Sequence, residues 1–159
     1  MKSAIHKLTF DRGLLTRGFW LYVWKITRRD SSRLYYVGRT GDSSSNNPQS
    51  PFNRVSQHLG LNPKNNTLRR RLADRSIEPE ECSFQLVAYG PMLARSQKPY
   101  TARRDIIAAL EKALADAMSA AGYTVINTVS CRKPEQAKRF VAVRAAFAVA
   151  FPALQRISP

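Results

Sequence analysis

The chain has 159 residues, 43% of them hydrophobic, which suits one domain of ordinary globular composition and excludes a disordered or low-complexity protein. Lys and Arg number 26 against 11 Asp and Glu, a net charge of +15, and such an excess selects anionic partners: nucleic acid first, an anionic membrane surface second. Cys82 and Cys131 are the only cysteines and form no CxxC pair, which excludes a structural zinc site and argues for a reducing compartment rather than a disulfide scaffold.

A membrane-spanning helix needs roughly 18 consecutive apolar residues. The best stretch, residues 140–154, is shorter and is broken by Arg144. The N-terminus meets charge at Lys7 and Asp11 before any apolar run forms, unlike a signal peptide. A cytoplasmic protein is the expectation.

Residues 1–17 are mixed and basic, an N-terminal extension without an assignable element. Residues 19–26 (FWLYVWKI) are dense in aromatic and β-branched side chains and predict a strand. After polar turn residues 28–32, the sequence RLYYVGR at 33–39 predicts a returning strand, making a β-hairpin. Side chains alternate along strands, so an odd loop places Tyr22 and Tyr36 on one side of the sheet, and a two-residue loop places them on opposite sides.

Residues 41–50 (GDSSSNNPQS) are loop by composition. Ser50-Pro51 then starts a helix, with Ser as N-cap and Pro at the first position. Phe52, Val55 and Leu59 supply its apolar stripe and Gly60 its end, while Arg54 and His58 project together roughly 110° away. Asn62-Pro63 opens a second helix anchored by Leu68 and Leu72 and carrying Arg69, Arg70, Arg71 and Arg75. A third strand at 83–89 is expected to close at Gly90-Pro91. A long helix follows over about 102–121, with Ile106, Ile107, Leu110, Leu114, Ala117 and Met118 inward and Gly122 as its stop. A short extended piece at 123–129 precedes a last helix from Pro134 onward.

In that last helix Phe140, Val143, Phe147, Phe151 and Leu154 recur at helical steps. Such a face either docks on the protein's own core or forms the seam of a homodimer, which would suit an enzyme acting on both strands of a duplex. The expected fold class is α+β: a small antiparallel sheet of about three strands, flanked by helices, with an additional C-terminal helix. The domains are the N-terminal extension at 1–17, a compact unit at 18–129 and a C-terminal helical extension at 130–159.

The sequence has no GxxxxGK[ST] phosphate loop, no HExxH and only two histidines, His6 and His58. The polar residues left at unusual places are Tyr22, Tyr36, Arg39, Arg54, His58, Glu111 and Asn127. Taking Glu111 as 0°, Ile107, Leu114 and Met118 fall within about 60° of it on the helix. It therefore lies at the edge of the apolar stripe, where a carboxylate needs a compensating cation or hydrogen bond, an arginine being the simplest partner.

Trp20-Leu21-Tyr22 followed by Tyr36-Val37-Gly38 resembles the paired half-motifs of the GIY-YIG nuclease family. Arg54 and His58 match the Arg-x-x-x-His of that family's first helix, Glu111 its metal-binding glutamate, and Asn127 its closing asparagine. The matched stretch runs from Gly18 to Asn127, with Trp20-Leu21 standing where the family has Gly-Ile, a longer hairpin and a larger Ser-rich loop. The resemblance implies metal-dependent hydrolysis of DNA by in-line attack of water. It implies Tyr22 as base for the water, Tyr36 beside it, Arg54 on the scissile phosphate, His58 relaying a proton or binding phosphate, and Glu111 holding one Mg²⁺, with Mn²⁺ as substitute. Asn127 and Gly38 would support the site structurally and Arg39 would contact DNA; apart from the resemblance, Arg69, Arg70 and Arg71 are expected to form a solvated or DNA-phosphate-facing ridge with no base-specific role. The rival expectation is a basic nucleic-acid-binding protein with the same fold and no turnover.

Overall fold

The computed structural model describes residues 3–41, 48–61, 66–93 and 99–156. Strands β1 (Phe19–Arg28), β2 (Arg33–Arg39) and β3 (Cys82–Met92) form one antiparallel sheet in the order β2-β1-β3. The hairpin pairs Thr27 with Arg33, Trp24 with Tyr36 and Tyr22 with Gly38. The terminal pair Thr27–Arg33 encloses five residues, an odd number, and Tyr22, Trp24 and Tyr36 share one face of the sheet.

Alternation along β1 builds two cores. Phe19, Leu21 and Val23, with Tyr35 and Val37 of β2, face helix α3 (Tyr100–Ala120) and helix α4 (Ala137–Ala148). Tyr22, Trp24, Ile26 and Tyr36 face the other way, toward helix α1 (Pro51–Leu59), helix α2 (Thr67–Ala73) and Ile77. A central strand covered on both sides reads as a continuous apolar run, which is what 19–26 is. The fold is α+β: among the described residues, a three-stranded sheet is flanked by four α-helices.

The free edge of β2 is patched by the segment after α3. Tyr35 exchanges backbone hydrogen bonds with Thr124 O and Ile126 N. Two residues on, the Asn127 side-chain amide stands in for a strand: its Oδ1 accepts from Val37 N at 3.0 Å and its Nδ2 donates to Val37 O at 2.8 Å. This satisfies both polar groups of a fully buried residue.

Three sequence expectations need correction or completion. β3 does not stop at Gly90-Pro91 but runs to Met92, which pairs with Phe19 across a register shift. Proline survives there because β3 is an edge strand. Gly90, at φ +154°, packs so tightly on Trp20 that a Cβ would come within 2.7 Å of its ring.

Second, the buried residues of α1 are Pro51 and His58, while Phe52, Val55 and Leu59 are only half-buried. The sheet face above this helix carries phenols, so a histidine can pair there and be buried. The expected Ser50 cap is present, its Oγ accepting from Asn53 N at 3.3 Å. Third, α2 is capped by Asn66, whose Oδ1 accepts from Arg69 N; the expected opening at Asn62-Pro63 lies outside the described residues, as does most of the 41–50 loop.

The C-terminal apolar face docks on the chain's own core. Val143, Phe147, Phe151 and Leu154 are buried beside Ile107, Leu110, Leu114 and Met118. Tyr35, Tyr123 and Phe151 form an aromatic triangle with ring centroids 4.9–5.8 Å apart, pinning the C-terminal turn to β2. The residues that would have made a dimer seam are therefore occupied within one chain. Among the described residues no helix is long and apolar enough to cross a membrane.

Candidate active site

The hairpin register fixes the site. Tyr22 sits on the central strand, 2% exposed, directly opposite Gly38. A Cβ at Gly38 would stand 2.6 Å from both Cζ and the hydroxyl of Tyr22. Glycine at this position is what lets the phenol pack directly against the β2 backbone. Tyr36 follows on β2 and is 7% exposed.

Helix α1 delivers His58 to these phenols. Its Nε2 lies 2.6 Å from the Tyr22 hydroxyl in a buried hydrogen bond. The imidazole meets both tyrosines edge-on, with centroids 5.5 Å from Tyr22 and 5.2 Å from Tyr36. One turn earlier, at i−4, Arg54 comes off the same helix and donates from Nη1 to Gln57 Oε1 at 2.8 Å. Gln57 in turn donates to Gln49, which tethers the arginine's partner to the loop before the helix.

Glu111 arrives from α3, its side chain 15% exposed, as its place at the stripe's edge required. Its Oε2 is 3.4 Å from Nε of Arg39, itself 19% exposed. Tyr22, Tyr36, Gly38, Arg39, Arg54, Gln57, His58, Thr67 and Glu111 line a single open pocket of about 360 Å³. Two guanidiniums face one carboxylate there, so the pocket attracts anions.

The pocket suits a hard divalent cation in one respect. Such a cation keeps most of its waters and takes few protein carboxylates, and Glu111 offers one carboxylate beside a cavity with room for several waters at about 30 Å³ each. Among the described residues no group of three or more His, Cys, Asp or Glu is placed to hold a metal ion.

The arginines of α2 lie elsewhere. Arg69 donates to Glu80 Oε1 at 2.5 Å and to Leu59 O at 3.3 Å, tying the end of α1 to the turn before β3. That pairing holds the Glu80 carboxyl below the usual carboxylate range. Arg71 pairs with Asp74 at 3.7 Å, and Arg70 is exposed. None of the three lines the pocket.

Sequence reasoning missed Thr40, Gln57 and Thr67. Thr40 is fully buried; its Oγ1 donates to Gly18 O at 2.6 Å and accepts from Trp20 N at 2.8 Å. It closes the hairpin where the regular ladder ends, next to Arg39. A lone Thr after a strand carries no signal of this, because the clamp depends on the bulge in β1. Gln57 and Thr67 are ordinary polar residues in sequence, placed by the crossing of two short helices.

No protein-family model, curated protein or solved structure matches this chain.

Proposed function

We propose that the chain is a metal-dependent DNA endonuclease of the GIY-YIG type, a cytoplasmic enzyme hydrolysing phosphodiester bonds. The observation that carries this reading is the 2.6 Å contact between Tyr22 and His58, inside a pocket that also gathers Tyr36, Arg54 and Glu111. These residues come from four elements, and packing alone gives no reason to bring them to one open cavity. The net charge of +15 supplies the attraction for DNA.

In the tautomer with its hydrogen on Nδ1, His58 accepts the Tyr22 O–H at Nε2. Tyr22 then takes a proton from the attacking water while its own passes to His58, which spares the enzyme a free phenolate; an isolated phenol titrates near 10. Water oxygen bonds to phosphorus, the bond to the departing oxygen breaks, and that oxygen is protonated from solvent. Arg54 holds the phosphate and offsets the charge that builds on it. Glu111 would hold Mg²⁺, or Mn²⁺ in its place, whose contribution when bound is positive charge for the departing oxygen.

The Arg39 contact favours a second reading, a non-catalytic nucleic-acid binder, because it compensates Glu111 without a metal. Incubation with supercoiled plasmid and with branched DNA separates the two. The nuclease reading expects nicking or cutting that needs Mg²⁺ or Mn²⁺ and stops in EDTA. Retention of DNA with no cleavage of any form in either metal would establish the binder.

A further inference from the structure

Glu111 reaches the pocket with a positive charge already beside it. The Arg39 Nε that approaches Glu111 Oε2 is buried and makes no hydrogen bond, so this is charge on charge without alignment. Such a pair lacks the bidentate geometry that makes arginine–carboxylate contacts strong. Yet both groups are largely desolvated, and taking either charge away from beside the other is costly. A phosphodiester entering the same pocket offers Arg39 another anion, and the planar guanidinium serves phosphate as well as carboxylate.

We propose that Arg39 is an exchangeable counter-ion. It lends positive charge to Glu111 while the pocket holds no DNA, and it turns to a substrate phosphate when DNA arrives, so that a divalent cation can take its place beside the carboxylate. Only the cation half rests on the nuclease reading; the move from carboxylate to phosphate does not. DNA binding and cation binding are then coupled through one side chain, and each must strengthen the other by the same factor. Arg39 is a positioning residue here: it acts on the cation through Glu111. The free protein binds metal weakly, so the site is assembled only on its substrate.

The test is a double-mutant cycle on duplex DNA affinity, measured by anisotropy in EDTA. Glu111→Gln frees Arg39, so it should tighten metal-free binding several-fold, and that gain should vanish in the Arg39→Gln background. A gain that persists there is a general charge effect and overturns the proposal, as does no gain at all. Mn²⁺ binding by electron paramagnetic resonance supplies the reciprocal arm. DNA should raise the wild-type affinity by roughly 5- to 150-fold, the common range for coupled sites. Arg39→Gln should bind Mn²⁺ more tightly without DNA and gain less from it, while Arg39→Lys, keeping the charge, should restore part of the coupling. If the EDTA cycle behaves as expected but no variant binds Mn²⁺ or cuts DNA, the exchange stands and the nuclease reading falls. If Mn²⁺ binds and DNA is cut but the cycle shows no coupling, the exchange falls and the nuclease reading stands.

Discussion

A methyl group at Gly38 has no room, and that one constraint carries much of the site. The Tyr22 ring it would strike is buried and held by His58, so it cannot swing aside without losing the 2.6 Å hydrogen bond. Gly38→Ala should therefore cost about 1–3 kcal/mol, as overpacking does, and should abolish any activity that needs the Tyr22–His58 pair. Urea denaturation and a cleavage assay check it; wild-type stability together with wild-type turnover would mean the ring is not fixed. At this scale the sequence was informative about identity and silent about partners. Tyr22, Tyr36, Arg54, His58 and Glu111 could be singled out and do converge on one pocket. That Glu111 answers to Arg39, or that Arg69 belongs to Glu80, could not be read, because those pairs join elements whose relative placement only the fold decides.

Elements with a strong local signal were legible at their boundaries. β2 occupies the run RLYYVGR, and Ser50 caps α1 as its dipeptide with Pro51 indicates. Where local chemistry and tertiary packing disagree, packing prevails: β3 passes through Gly90-Pro91 because the edge of the sheet tolerates the missing N–H. The faces of α1 were misjudged for a similar reason, since His58 becomes buryable only once a phenol stands opposite it. Helix α4 offers a direct check on which of its faces matters. Phe147 is 1% exposed in the core, whereas Val141, about 120° around the helix, is 62% exposed. Phe147→Ala should cost about 3–5 kcal/mol, whereas Val141→Ala should stay within about 0.5 kcal/mol, both from urea midpoints at constant m-value. Equal effects would mean that α4 does not dock as described.

Tyr35 links three parts of the molecule: β2, the segment that patches its edge, and the C-terminal turn. Burial pushes its phenol above the ordinary 10.0, with nearby Arg33 opposing the shift. The unfolded chain then ionises first on the way up in pH. Its share of stability is complete below pH 10.0 and is lost as pH climbs through the raised folded value. Tyr35→Phe should flatten the alkaline fall in stability, followed by denaturation between about pH 9 and 11; an unchanged slope would assign the loss to other groups.

For the whole molecule, charge and chemistry are separable. The +15 of the chain is spread over helices, loops and both termini, and it governs how tightly DNA is held and how steeply that falls with salt. Turnover, on the proposed account, depends on one hydroxyl that contributes nothing to that charge. Tyr22→Phe removes only this oxygen from a ring that remains packed, so the measurement that tests the account most directly is single-turnover DNA cleavage by this variant, with DNA affinity measured alongside. The account predicts wild-type affinity at every salt concentration and a cleavage rate lowered by roughly 10²- to 10⁴-fold, the usual loss when an acid–base group is removed. Cleavage at the wild-type rate by Tyr22→Phe would contradict it.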